Sequence, residues 1–231
     1  MRVAIHVNPA MDHHIKWGIT FAEGLRRHGI NASIESTYTP VGCDLAVFWG
    51  HSPVKSRIIN AQKEKGRHYL VMERGYFADR FKWASLGYNG LNGQADFCNV
   101  NSPPDRWEPH KYLMKSWNPG KDYVLLVGQI PADSSCSHIN IQQWYVESVM
   151  KARAIQDLPV VYRHHPKHRN PSVPCGIEVM DGSLEDCLKG AACVITFSST
   201  VGVDALLAGK PVVAVDPISM AWPLAGHSVK E

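Results

Sequence analysis

The 231-residue chain lacks several of the signatures that assign a chemistry directly. It has no Walker A sequence, no GxGxxG and no GxSxG, which lowers NTPase, dehydrogenase and hydrolase readings. No DxD occurs, so the carboxylate pair that commonly holds a metal–diphosphate is missing. There is no run of about 18 apolar residues and no basic-then-apolar leader, so a soluble cytoplasmic protein without a membrane span is expected. No CxxC pairs the six cysteines, Cys43, Cys98, Cys136, Cys175, Cys187 and Cys193; they read as reduced, mostly buried thiols. Charge is also scarce. Charged residues are 19% of the chain and the formal net charge is +3, too little to argue for nucleic acid yet no obstacle to an anionic ligand.

What is present is a 45% apolar composition, enough for a sizeable core, and twelve histidines whose charge rises as pH falls below about 6.5. Arg2–Val7 (RVAIHV) reads as a buried first strand, followed by a polar turn over Asn8–His14. Ile15, Gly18, Ile19, Ala22 and Leu25 then keep helical spacing up to Gly29. Asn31–Glu35, Asp44–Trp49 and His68–Met72 read as further strands, with a helix from Pro53 to Lys65 closed by Gly66. Glu73–Gly93 shows no period and reads as long loops with short helices, a length that usually serves binding.

A second alternating series starts at Asp122–Val127 (DYVLLV). It continues through a loop at Gly128–Ser137, a helix at Ile139–Gln156, a strand at Pro159–Tyr162 and a basic loop at Arg163–Pro174. Gly176–Met180, Ser183–Lys189, Cys193–Phe197, Thr200–Ala208 and Pro211–Val215 complete it as strand, helix, strand, helix and strand. Alternation of this kind implies parallel pairing. The expected fold class is α/β, with two Rossmann-like domains at 1–117 and 118–231, parallel sheets and helices on both faces.

Two segments of the second half carry the chemistry. CVITF runs into Ser198, Ser199, Thr200, Val201 and Gly202 as a strand-to-helix turn. Such a turn offers unpaired backbone N–H groups, and the hydroxyls and a glycine permit close approach by a phosphate. Asp204, one turn further on, could accept from ribose hydroxyls. The plainer reading makes Ser199 a helix cap and Asp204 a solvated side chain. The second segment, Arg163, His164, His165, Pro166, Lys167, His168 and Arg169, follows a strand end and should lie on the same sheet edge. It reads as part of an anion site, or else as a solvated basic loop. Pro166 opposes the helix that would align His164 and His168 on a metal.

His165-Pro166, Ser198 to Gly202, Asp204-Ala205-Leu206-Leu207 and Gly209 to Val213 together resemble the C-terminal half of GT-B glycosyltransferases. The likeness is to capsule-polysaccharide and Kdo-type transferases, and more loosely to bacterial sialyltransferases. It spans about Tyr123–Val215 and is strongest in its last third. The resemblance implies an acceptor-side domain at 1–117 and a nucleotide-sugar donor domain at 118–231. It assigns donor binding to Gln129, His165, Ser198, Ser199, Thr200 and Asp204, the last standing where the family often has glutamate, and Arg163 of the basic loop joins them as a donor-binding candidate. The implied enzyme is a metal-independent glycosyltransferase with the nucleotide-sugar as co-substrate and no other cofactor.

An inverting transfer needs a base, and strand-end loops of the first half offer Asp12, His13 and Glu73. Phe77, Phe81, Trp83 and Tyr88 interleave with Arg74, Arg80 and Lys82, a pattern that stacks sugars or an unstacked base. Arg74, Tyr76 and Trp83 are the acceptor-contact candidates, and the acceptor is a glycan or a hydroxymethylated DNA base, as in phage DNA modification. The same aromatics could equally form core. A nucleotide-sugar epimerase and a non-catalytic nucleotide- or glycan-binding module are the alternatives.

Overall fold

The computed structural model describes residues 1–77, 79–97, 100–168, 173 and 176–229. Cys98, Arg169, Pro174 and Cys175 lie outside the described residues. Two compact units emerge, one of Met1–Gly75 with Asp79–Asn99 and one of Tyr76–Ala78 with Val100–Glu231. The composition boundary at 117/118 therefore differs from the packing boundary. Residues 100–117 belong with the second unit, where Lys115 N–H donates to Leu207 O and Asn118 N–H to Gly209 O.

In the first unit β1 (Arg2–His6), β2 (Asn31–Glu35), β3 (Leu45–Trp49), β4 (His68–Arg74) and β5 (Ala84–Tyr88) form one sheet in the order β2-β1-β3-β4-β5. Alternation along β1 decides which face each side chain serves. Val3, Ile5 and Val7 join Trp17, Phe21, Ala22 and Leu25 of α1 (Asp12–Arg27). Ala4 turns the other way, towards Ile58 and Ile59 of α2 (Pro53–Glu64). Gly18 lets α1 come close, since a Cβ there would stand 2.7 Å from Val7 Cγ1.

The sheet is mainly parallel, as expected, and β5 alone runs antiparallel, to β4, with Glu73 opposite Ser85 and Arg74 opposite Ala84. Two local expectations fail. Glu73 and Arg74 are thus strand residues rather than loop. The hairpin closes tightly, since a Cβ on Gly75 would stand 2.7 Å from Trp83 Cβ, a constraint between residues on either side of the turn that is invisible to periodicity. The polar turn after β1 is also shorter than expected. Asn8 Oδ1 accepts from Ala10 N–H, Met11 occupies the N-cap position without a side-chain capping bond, and Asp12, His13 and His14 already lie in α1. Asp12 in the first turn suits the helix dipole.

The second unit has a wholly parallel sheet among the described residues. It comprises β6 (Tyr123–Val127), β7 (Val160–Arg163), β8 (Glu178–Val179), β9 (Ala191–Thr196) and β10 (Val212–Ala214), ordered β10-β9-β6-β7-β8. Val124 and Leu126 face α3 (Ile141–Ile155), through Tyr145, Val149 and Ala152. Leu125 and Val127 face α4 (Leu184–Lys189) and α5 (Val201–Leu207), through Leu188 and Ala205. Burial of this kind contributes about 1.5–3 kcal/mol for each such side chain. Asn140 and Ser183 cap α3 and α4 by accepting from Gln143 and Asp186 N–H. Cys43, Cys136, Cys187 and Cys193 are free thiols, the first three buried and Cys193 half-buried. Among the described residues no helix is long and apolar enough to cross a membrane.

Glycines at two positions give opposite expectations. Gly209 holds φ at +74°, and a Cβ there would collide with the Ser116 carbonyl. Gly209→Ala should destabilise the second unit by about 2–4 kcal/mol. Gly24 is an exposed residue within α1 with open space around it, so Gly24→Ala should stabilise by about 0.5–1 kcal/mol. Denaturant melts of the two variants check both signs.

Candidate functional site

The carboxyl ends of β9, β6 and β7 are neighbours in the second sheet, and the segments that follow them meet. Gly128 leaves β6 beside β7. A Cβ on it would stand 2.5 Å from Tyr162 Oη and 3.0 Å from His165 N, so only glycine fits. The next residue, Gln129, is 5% exposed. Its N–H donates to Tyr145 Oη at 2.7 Å. Its Oε1 accepts from Ser198 N–H at 2.7 Å and from Thr196 Oγ1 at 3.4 Å, and its Nε2 donates to Ser198 Oγ at 3.0 Å. Ser198 Oγ in turn donates to Ser135 Oγ at 2.9 Å.

This network changes how the Ser198–Gly202 turn can work. Its backbone donors were expected to be open to an anion, yet most are already satisfied. Ser198 N–H goes to Gln129, Ser199 N–H to Thr196 Oγ1 at 3.0 Å, and Val201 N–H to Ser199 Oγ at 3.3 Å. Gly202 and Val203 N–H reach the Ser199 and Thr200 carbonyls. α5 is also only seven residues long, so its dipole is small. Gly202 does not clear the way for a ligand either; a Cβ there would meet Ala221 Cβ at 2.9 Å and Thr196 Cγ2 at 3.1 Å in the interior. What the edge offers a ligand is therefore hydroxyl and imidazole hydrogens more than backbone amides.

His165 sits half-buried in the β7 loop. Lys167 N–H donates to its Nδ1 at 3.1 Å, which places the proton of the neutral ring on Nε2. Burial, reinforced by Lys167, pulls its pKa below the usual imidazole value, with Asp133 of the β6 loop opposing. Arg163 is directed elsewhere, its Nη2 donating to Gly182 O at 3.3 Å, while its buried Nε has no partner among the described residues. Asp204 lines a cavity of about 500 Å³ with Leu113, Lys115, Lys189 and Lys210. None of Gln129, His165 or Ser198 lines that cavity.

At the strand ends of the first unit, His13 and His14 meet the Trp49 ring with centroids at 5.1 and 5.8 Å. His14 Nδ1 accepts from Asn8 N–H at 3.4 Å and faces Tyr38 Oη at 3.2 Å, so its neutral form carries the proton on Nε2. Burial, with His13 and Lys55 adding to it, lowers its pKa to about 4. His13 is lowered too, by burial and by Arg74. Lys55 is buried, donates to the Trp49 carbonyl and lies over the Tyr38 ring at 5.2 Å. Gly50, at φ +62°, separates it from Glu73: a Cβ there would be 3.8 Å from Lys55 Nζ and 3.6 Å from Glu73 Oε2.

Asp12 is exposed at the start of α1. Arg74 covers the Phe81 ring at 4.7 Å, and Trp83 is part of the same unit and 43% exposed. Tyr76 belongs to the second unit, so the three acceptor candidates are not grouped in one unit.

Sequence reasoning missed Lys55 and Ser135. Lys55 had a signal: with Ile58, Ile59 and Gln62 it completes an i, i+3, i+4, i+7 stripe, which places a lysine on a buried face. Ser135 had none, since its role depends on Ser198 meeting it from far along the chain.

No family profile and no curated protein matches the chain. Solved structures do. The beta Kdo 2,4 transferase of Thermosulfurimonas dismutans KpsC aligns with a TM-score of 0.60 and 14% identity, over 95% of this chain and 83% of that one. The beta Kdo 2,7 transferase of the same protein aligns with 0.60 and 16%, over the same shares. At such identity the likeness establishes the fold: two mainly parallel sheets flanked by helices, as in a two-domain Rossmann-like glycosyltransferase.

The buried histidines give a pH dependence with a definite sign. His14 titrates near 4 when folded and near 6.5 when unfolded, so its contribution is complete above 6.5 and is lost as pH falls towards 4. His14→Gln should flatten the decline in stability across that window. Denaturant melts at steps between about pH 7 and 4 check it, and an unchanged slope would refute the assignment.

Proposed function

We propose that this chain is a glycosyltransferase that moves a sugar from a nucleotide-sugar donor to a hydroxyl of a glycan acceptor. The observation that carries the reading is the convergence of Gln129, Ser135, Ser198 and the His165 loop on the carboxyl edge of a parallel sheet. Open parallel sheets take their ligands there. The second unit would hold the donor through the Ser198–Thr200 turn and His165. Lys167 and the imidazoles beside it would stabilise the leaving phosphate, a task that requires cations or donors but no particular metal. The glycosyltransferase-like fold supports the same reading, as do the transferase names of its structural neighbours.

The acceptor hydroxyl must lose a proton, and Asp12, His13 and Glu73 of the first unit are the candidate bases. Glu73 is the one we favour, because it stands at a strand end with a buried lysine across Gly50, whereas Asp12 is exposed. The aromatic and cationic edge of Arg74, Phe81 and Trp83 suits the face of a sugar. No cofactor beyond the donor is needed.

Thermal-shift screening with CMP, UDP and GDP tests the donor half. A nucleotide at 100-fold its Kd should add about 2.7 kcal/mol of stability. Ser199→Ala and His165→Ala should each weaken the best of the three about tenfold; wild-type affinity in both variants would mean that the site lies elsewhere. For the acceptor half, Glu73→Gln should lower transfer to glycan acceptors at least about 100-fold while nucleotide affinity holds. Retained transfer would remove Glu73 from the mechanism. Duplex DNA binding that falls steeply with salt would redirect the acceptor to a DNA base.

A further inference from the structure

The hydrogen bonds around Gln129 have a direction. Ser198 N–H can only donate, so the Gln129 atom 2.7 Å from it is the carbonyl oxygen. The amide nitrogen is thereby turned to Ser198 Oγ at 3.0 Å, and it too can only donate. Ser198 Oγ, having accepted, sends its single proton to Ser135 Oγ at 2.9 Å. Ser135 Oγ is thus an acceptor in that bond, and its own proton is left to point onward.

The groups around Ser135 leave that proton without a strong acceptor. Asp133 Oδ1 accepts from Ser135 N–H at 2.9 Å, and no hydrogen bond runs from Ser135 Oγ to that carboxylate. The Ser135 hydroxyl is hydrogen-bonded with Cys136 Sγ, a weak acceptor that a phosphoryl oxygen would outcompete and whose own proton goes to Ile130 O at 3.0 Å. Among the described residues no other side chain accepts from Ser135 Oγ. A chain of hydroxyls that ends on a donor selects a partner that only accepts. A phosphoryl oxygen is such a partner; an ammonium is not.

We propose that Ser135, rather than Ser198, makes the hydrogen bond to a phosphoryl oxygen of the bound nucleotide, and that Gln129 is a positioning residue that sets the direction of the Gln129–Ser198–Ser135 chain. This deepens, and rests on, the reading of the second unit as the nucleotide site. In it Ser198 and Gln129 are internal members of a relay. Gln129→Glu reverses the relay. A carboxylate at that position can only accept, so it draws the Ser198 proton to itself, and Ser135 must then donate to Ser198 instead of the ligand.

The test is calorimetric titration of whichever of CMP, UDP and GDP stabilises the wild-type protein, alongside the matching nucleoside without phosphate. Ser135→Ala should weaken the nucleotide about tenfold and leave the nucleoside within about twofold. Gln129→Glu should cause a loss of the same order, and the double variant should be no weaker than Gln129→Glu alone, because the relay is already broken. Unliganded melting temperatures close to wild type show that the variants are folded. Wild-type nucleotide affinity in Ser135→Ala overturns the proposal. So do additive losses in the double variant, which would mean that Gln129→Glu acts only by repelling the anion, and so does an equal loss for nucleoside and nucleotide. If wild-type protein binds none of the three nucleotides, the underlying nucleotide reading falls, and the relay with it.

Discussion

Gln129 has a carboxamide buried at the edge of a parallel sheet, and a buried amide left unpaired costs about 1–3 kcal/mol for each unmet group. The molecule meets that demand with Thr196 at the end of β9 and Ser198 just beyond it, while the Gln129 backbone N–H donates to Tyr145 Oη on α3. The end of β9 is thereby tied to the start of the β6 loop, and Ser135 is brought to Ser198. Gly128 is part of the same arrangement, because Tyr162 and the His165 backbone occupy the space that a side chain would need. The Thr196 and Ser198 hydroxyls, and Ser135 through Ser198, depend on one side chain that itself has almost no exposure.

The architecture was legible because it rests on local rules. RVAIHV and DYVLLV are continuous apolar runs, as strands covered on both faces must be. Gly29, Gly66 and Gly209 stand at positive φ at the ends of α1, α2 and α5, where the sequence reading ended or closed those helices. The misreadings came from interactions between distant residues. β5 has too short a pattern to announce itself, and exists because β4 offers it an open edge. Asp12, His13 and His14 read as turn because the Asn8 side chain ends the turn early, which no period reveals.

The candidate site was legible in its location and less so in its wiring. Sequence spacing led to His165 and Ser198 and the family resemblance to Gln129, and the segments that carry them meet at one sheet edge. It could not distinguish a side chain that faces a ligand from one that holds another in place, since that depends on how many of its hydrogen-bonding groups are already spent. By that measure Gln129 is spent, Ser199 has accepted from Val201 with its own proton to place, and Ser135 was overlooked. The first unit shows the same limit. Its candidate bases were found as residue types, whereas Lys55, which lies across Gly50 from Glu73, was counted only as part of a helix.

The histidines have a consequence beyond any site. Five of them, His6, His13, His14, His51 and His165, take up protons less readily than free imidazole. Mild acidification therefore adds less positive charge to the folded molecule than a count of twelve histidines implies. Its self-repulsion and its attraction for anionic surfaces rise correspondingly slowly. The unfolded chain has no such restraint, so acid makes the unfolded form the more highly charged species before it makes it the more abundant one.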